Sequence, residues 1–247
     1  MRHTTLLQRL APALPWLAAA CFVLAAADLS EWIDVPGGGA LRPLALLLLV
    51  LYATRTPGGP GGDLDRRRWL QAGLAVSVVG EVLLARTATL VPAMCVFSVT
   101  QLCYLRALAG PRFALVPPGW LHAVHAVAVA WALALWSDLP TGHFASVVLF
   151  MILLGLVSVQ ADAWWIRARG TVEAAPARGA ALAAMAWMLA DLAWTFATQV
   201  QWIPGTYVAV LTFYGFAQCC FAHMAGASRQ DDTVPAPAPN CAPAGRT

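Results

Sequence analysis

Eight apolar stretches, each close to the length needed to cross a bilayer, occupy most of this 247-residue chain. A bilayer-crossing helix needs ~20 mostly apolar residues. Only 11% of the residues are charged, whereas the charged fraction of a soluble domain is about 25%. The sequence therefore predicts an all-α fold, a polytopic membrane bundle with eight transmembrane helices. The stretches cover about 12–29, 39–54, 69–86, 88–108, 118–137, 144–166, 180–199 and 205–224.

Little of the chain is left outside these stretches. We expect one membrane domain over 1–226 and a disordered Ala/Pro-rich tail over 227–247, with a further Gly/Pro-rich loop, "TPGGPGGDLDRRR", between the second and third spans. No segment is long enough for a soluble catalytic domain, so any chemistry is expected inside the bundle. Alternatively, the basic start and small-residue end of the first span fit a signal peptide, whose cleavage would leave seven spans.

The arginines predict the orientation of the bundle. If the N-terminus is cytoplasmic, only Arg42 and Arg86 fall on the outer side, and the other thirteen arginines fall on the inner side. Such a bias follows the positive-inside rule. The sequence therefore predicts that both termini are cytoplasmic and that the protein lies in the cell membrane.

All fifteen basic residues are arginines, and lysine is absent. This excludes a retinal or pyridoxal phosphate Schiff base and the lysine of a phosphate-binding loop. The six cysteines show no CxxC spacing, so they are interpreted as small apolar core residues rather than as metal ligands or disulfides. No cofactor and no metal are expected.

Two carboxylates interrupt the apolar stretches: Glu81 in "SVVGEVLLA" and Asp191 in "WMLADLAW". An ionised side chain at such a depth costs at least ~2.5–3.5 kcal/mol and tends to mark function. Each lies thirteen residues after an arginine, Arg68 or Arg178, which places both roughly 20 Å from the inner arginine at 1.5 Å per residue. The two acids are therefore expected to share a depth.

Further polar residues are expected near this depth. The offset of 110 that relates the two acids also relates Tyr104 to Tyr214, as a parallel internal repeat would. Gln101 and Gln218 enter the same level from the outer side. These side chains and the two acids are predicted to form one polar chamber. Alternatively, each amide or hydroxyl group serves only to bond neighbouring helices.

Several short motifs occur in an order that resembles a known family. They are "LRPLALLLL", "AGLAVSVVGEVLLA", "VFSVTQLCYLRAL", "RGAALAAMAWMLADLAW" and "LTFYGFAQ", and together with their spacing they resemble the lysoplasmalogenase (YhhN-type) family of integral membrane proteins over about 39–222. The sequence departs from the family pattern at three positions. Glu81 stands where the family usually has Asp, Gln101 where it has His, and Ala190 where it has Ser.

The resemblance implies hydrolysis of the vinyl ether bond of a lysoplasmalogen, a lipid substrate, to a fatty aldehyde and a glycerophospho-alcohol. Such a reaction needs one protonated acid and one carboxylate, as in glycoside hydrolysis. Glu81 and Asp191 are the expected catalytic pair, with their individual roles left open. Arg42 at the outer mouth is a candidate for holding the phosphate group. Gln101, Tyr104, Tyr214 and Gln218 are candidates for orienting water or substrate.

The sequence leaves two other functions open. A zinc-dependent membrane amidase would need three protein ligands, and His122, His125 and His223 are the available histidines near the inner helix ends. A proton-coupled transporter or lipid-binding protein would use the two acids without hydrolysis, and the Gln at position 101 favours it. Nucleic-acid binding has no support, because the short "DRRRW" cluster is explained by topology.

Overall fold

The computed structural model describes residues 10–56, 64–85, 90–110, 115, 119–136, 138, 140–200 and 205–226, and the regular secondary structure in this part of the chain is helical, with no β-strand. Each of the eight α-helices in this part of the chain coincides with a predicted apolar stretch, which confirms the all-α polytopic fold class. A short 3-10 turn precedes each of the first two α-helices. The helices are α1 Leu14–Leu29, α2 Leu41–Arg55, α3 Leu64–Leu84, α4 Leu90–Ala109, α5 Trp120–Leu135, α6 Thr141–Ala168, α7 Ala174–Gln199 and α8 Thr206–Gly226.

Six of these helices, some together with an adjoining turn, are long and apolar enough to cross a membrane. The other two are α3 and α5. Helix α5 is apolar but has only 16 residues. Helix α3 has 21 residues, but its first turn carries Asp65 and is followed by arginines, which lower its mean hydropathy. The chain is therefore a multi-pass membrane protein, while the crossing of α3 and α5 and the side of the membrane that each terminus faces stay predictions.

Three predictions concern residues outside the described part of the chain. They are the start of the possible signal peptide at 1–9, most of the Gly/Pro-rich loop at 57–63 and the disordered tail at 227–247.

The helices pack mainly as two sequential pairs, α3 with α4 and α7 with α8, and α4 packs on α6 rather than on α5. Two glycines allow the close approach of α3 and α4. A Cβ atom on Gly73 would lie 2.3 Å from the Tyr104 ring, and a Cβ atom on Gly80 would lie 2.8 Å from the Phe97 ring. Because the two glycines are seven residues apart, they lie on one helix face and leave room for both rings.

Arginine side chains join the helices at one end of the bundle, which we name the arginine end: the last turns of α2, α4 and α6 and the first turns of α3 and α7. Arg67 donates hydrogen bonds to carbonyl groups at the C-terminus of α2, including that of Ala53 at 3.2 Å. Arg106 pairs with Asp65 at 2.9 Å. Arg66 lies over the Trp164 ring at 4.3 Å. Arginines predicted to be on the inner side therefore meet at one end.

Candidate active site

A cavity with about 580 Å³ of empty space, including its open mouth, lies in the half of the bundle away from the arginine end. Seven helices, all but α5, contribute to its wall. Its polar lining consists of Arg42, Glu81, Asp191, Tyr207 and Tyr214. The remaining lining is apolar or aromatic: Leu29, Leu84, Met94, Phe97, Phe150, Trp187, Ala190, Trp194, Val210 and Leu211.

Glu81 projects into this cavity from the last turns of α3, and its side chain is only 3% exposed. The Arg42 Nη1 atom, on the first turn of α2, lies 3.3 Å from the Glu81 Oε2 atom. The Tyr214 hydroxyl group on α8 also faces the Glu81 carboxyl group. Neither that hydroxyl nor Oε2 meets the geometry of a hydrogen bond with a described residue. The carboxyl group is therefore held chiefly by its ion pair.

Asp191 reaches the same cavity from α7, where Trp187 and Trp194 flank it one turn before and one turn after. Its Oδ2 atom is buried and has no hydrogen-bond partner among the described residues. No basic side chain in the described part of the chain forms an ion pair with it. The structure thus brings the two predicted acids to one cavity and gives them different surroundings.

The other predicted polar residues do not all reach the cavity. Tyr104 donates a 2.8 Å hydrogen bond to the Gln218 Oε1 atom, and both side chains are fully buried without lining the cavity. Gln101 is also fully buried, and both its amide nitrogen and its amide oxygen lack partners among the described residues. Gln218 follows Tyr214 by four residues, so this layer lies about one helical turn, ~5–6 Å, below the acids.

The single predicted chamber is therefore two layers, a cavity above and a packed polar layer below. The sequence interpretation missed Ser77 in the lower layer, whose hydroxyl group donates to the Gly73 carbonyl at 3.0 Å and to Thr100 at 3.4 Å. Ser77 precedes Glu81 by four residues, and this helical spacing indicates that both side chains lie on the same face of α3. Tyr207, which lines the cavity, carried no such signal.

The histidines proposed as zinc ligands do not come together. His125 lies 3.4 Å from Asp162, whereas the His223 Nδ1 atom lies 3.2 Å from the Tyr52 hydroxyl group. No three metal-ligating side chains form a group among the residues described. The zinc amidase alternative therefore has no support from this arrangement.

The bundle holds two carboxyl groups and an arginine in a largely apolar internal cavity. The fold and the site therefore define the class of this protein, a polytopic membrane protein with a polar site inside the helical bundle. The chain belongs to the YhhN family, whose sequence profile matches residues 39–225. This match covers α2 to α8 and every cavity-lining residue except Leu29, and it confirms the resemblance that the motifs indicated. At the level of the family, it supports a lysoplasmalogenase-type membrane protein. No protein with a curated description and no solved structure shows significant similarity to the chain.

Proposed function

We propose that this protein hydrolyses the vinyl ether bond of lysoplasmalogen-type lysophospholipids in the cell membrane, with Glu81 and Asp191 as the catalytic pair. The observation that supports the proposal most is the position of the two acids, which come from α3 and α7 and line one cavity. The cavity wall is mostly apolar or aromatic, as the hydrocarbon chain of a lipid substrate requires. The products are a fatty aldehyde and a glycerophospho-alcohol.

The reaction begins with proton transfer from one carboxyl group to the vinyl carbon farther from the ether oxygen. The electron pair of the double bond forms the new C–H bond, and the cation is shared between the neighbouring carbon and the ether oxygen. The second carboxyl group, as its anion, stabilises this oxocarbenium ion and accepts a proton from the water that adds to it. The hemiacetal hydroxyl group then loses its proton as the C–O bond to the glycerol oxygen breaks, and this oxygen gains a proton, so that an aldehyde and an alcohol result. Two carboxyl groups divide similar tasks in glycoside hydrolysis.

The remaining predicted residues have supporting roles in this proposal. Tyr214 faces Glu81 and is placed to orient water or substrate beside it. Gln101, Tyr104 and Gln218 act one layer lower, where they support the helices that carry the cavity wall. Arg42 pairs with Glu81 but has five N–H donors, so a contact with the substrate phosphate remains compatible with the ion pair.

The proposal is tested by supplying the purified protein with a lysoplasmalogen and measuring aldehyde release. We expect Glu81→Gln and Asp191→Asn each to lower the rate by about 100-fold or more, the usual contribution of general acid–base catalysis. Asp162→Asn is the matched control, because Asp162 is a carboxylate of the same bundle that pairs with His125 outside the cavity. Undiminished aldehyde release by both cavity variants would contradict the proposal.

The second candidate is a proton-coupled transporter or lipid-binding protein. The observation that favours it is the lower layer, in which the buried Gln101 amide has no hydrogen-bond partner among the described residues. Substrate-dependent proton flux into liposomes, with no aldehyde formed, would select this function over hydrolysis.

A further inference from the structure

We infer that Arg42 is a positioning residue that sets the protonation of the cavity acids, so that Glu81 is the anion and base and Asp191 is the proton donor. This inference rests on the proposed function for its consequence in the reaction. Its claim about protonation stands on the geometry of the cavity alone.

The first argument is the charge of the cavity. A guanidinium group remains protonated in proteins, so Arg42 contributes one fixed positive charge. The two tyrosines that line the cavity are neutral phenols at neutral pH. Burying a net charge in an apolar interior is unfavourable. The neutral combination is one carboxylate and one protonated carboxyl group, so the two acids share one proton between them.

The second argument is the placement of the positive charge. Arg42 lies 3.3 Å from the Glu81 Oε2 atom, and a guanidinium at this distance favours the ionised form of its partner. The Tyr214 hydroxyl group faces the same carboxyl group and can donate to an anion. Asp191 has no ion pair among the described residues, and its Oδ2 atom has no hydrogen-bond partner there. The shared proton is therefore assigned to Asp191.

The other elements around Glu81 do not alter this assignment. Tyr207 and Tyr214 on α8 and Asp191 on α7 are the titratable groups that line the cavity with it. The cavity residues from α1, α4 and α6 are apolar, namely Leu29, Met94, Phe97 and Phe150. Arg42 on α2 is the single basic group in the described lining.

The assignment gives each acid a defined step in the reaction. Asp191 transfers its proton to the vinyl carbon and becomes an anion while the substrate becomes an oxocarbenium ion. Glu81 then takes a proton from the attacking water. After the products leave, one proton returns from Glu81 to Asp191, and the starting state is restored. With the cation present, two carboxylates balance the oxocarbenium ion and Arg42, so the cavity stays neutral throughout.

The test is infrared difference spectroscopy of the C=O stretching band of protonated carboxyl groups in the purified, substrate-free protein at neutral pH. We expect this band to shift in Asp191→Glu, which changes the protonated residue, and to stay in place in Glu81→Asp, because both variants keep two carboxyl groups and one of them can pair with Arg42. We also expect Arg42→Gln to gain a second such band, from Glu81, and Arg42→Lys to keep the wild-type pattern. Asp162→Asn corrects for the partly exposed carboxyl group beside His125.

A band that shifts in Glu81→Asp and stays in place in Asp191→Glu would overturn the assignment, as would an Arg42→Gln spectrum identical to the wild type. The spectra are recorded without catalytic turnover. They therefore report which acid is protonated even if the protein releases no aldehyde and the proposed function is wrong. In an active protein, we expect Arg42→Gln to lower kcat by about 100-fold at neutral pH and to regain activity as the pH rises and Glu81 loses its proton. Arg42→Lys should restore the wild-type pH profile, which a purely structural role would not require.

Discussion

The Tyr104 hydroxyl group on α4 donates a 2.8 Å hydrogen bond to the Gln218 Oε1 atom on α8, across 114 residues of sequence. The Tyr104 ring also stacks on Phe221, with 4.1 Å between ring centroids, and meets the edge of Trp187 at 5.8 Å. Trp187 in turn lies 5.5 Å from the ring of Tyr214, which lines the cavity. The buried layer that Tyr104 and Gln218 form therefore supports the cavity wall from below.

Removal of this hydrogen bond should destabilise the bundle. In Tyr104→Phe the ring remains, but the buried Gln218 Oε1 atom loses its donor, and the amide nitrogen already lacks a partner among the described residues. We expect the free energy of unfolding to fall by about 1 kcal/mol, a typical value for a buried polar interaction in membrane proteins. Denaturation in mixed detergent micelles measures this loss.

The matched control for this change is Tyr52→Phe. The Tyr52 hydroxyl group also lies near a side chain of α8, His223 at 3.2 Å, but that pair is exposed and water can replace it. A loss of stability in Tyr52→Phe as large as that in Tyr104→Phe would show that burial of the Tyr104 pair does not matter.

A second prediction concerns the glycine that faces Tyr104. A Cβ atom at position 73 would approach the Tyr104 ring to 2.3 Å, so Gly73→Ala must displace the ring or separate α3 from α4. Overpacking of this kind costs about 1–3 kcal/mol. We expect a fall of this size in the free energy of unfolding, measured as for Tyr104→Phe.

Gly179→Ala on α7 is the corresponding control, because a Cβ atom there would lie 3.7 Å from Met224, an ordinary contact. Alanine also favours a helix over glycine by about 1 kcal/mol. We therefore expect Gly179→Ala to be neutral or stabilising. Equal destabilisation by the two substitutions would contradict the proposed steric role of Gly73.

Much of the fold can be predicted from the sequence, because membrane helices are recognised by their length and apolar composition. The convergence of Glu81 and Asp191 on one cavity agrees with their predicted depth, since each lies thirteen residues after an arginine on its own helix. Depth follows from counting at 1.5 Å per residue. The direction in which a side chain points around the helix axis needs the packing partners, which the sequence does not provide.

Gln101 shows the limit of the counting argument. It was expected near the level of the acids because its helix enters from the outer side, and helix ends are uncertain by one or two residues. The residue one turn before it, Phe97, lines the cavity, and Gln101 lies one layer lower. An error of a single turn therefore moved it from the cavity to the core.

The ion pair between Arg42 and Glu81 was also missed, because Arg42 was interpreted as a group at the outer mouth. It lies on the second residue of α2, and Glu81 lies three residues before the end of α3. Since α2 and α3 are antiparallel neighbours, both residues fall within one turn of the same end. The predicted spans 39–54 and 69–86 already place Arg42 and Glu81 near the same end of neighbouring antiparallel helices.

A third prediction concerns the arginine end. Arg67 donates from Nη2 to the carbonyl oxygen of Ala53 at 3.2 Å and to that of Thr56 at 2.5 Å, which ties α3 to the C-terminus of α2. Hydrogen bonds from a charged donor contribute about 1.5–3 kcal/mol when buried and less near the surface. We expect Arg67→Gln to lower the free energy of unfolding by about 1 kcal/mol in the same denaturation assay.

Arg68→Gln controls for the loss of a positive charge, which itself affects membrane orientation. Arg68 is exposed and neighbours Arg67 in the chain. We expect Arg68→Gln to leave stability unchanged. If both variants unfolded at the same denaturant concentration, the contacts of Arg67 with α2 would have no measurable role.

The last prediction tests whether the cavity itself accepts the substrate, independently of the acids. Val210 on α8 lines the cavity without contributing any polar group. Val210→Trp should place an indole ring in the space that the lipid chain needs and displace the vinyl ether from the carboxyl groups. Since a misplacement of ~1 Å costs about 100-fold in rate, we expect kcat/KM for aldehyde release to fall by about that factor. Phe213→Trp is the control, because Phe213 lies on the same helix, is 37% exposed and does not line the cavity. Full activity in a folded Val210→Trp variant would mean that the substrate reaches the acids by another route or that the cavity is not the site of hydrolysis.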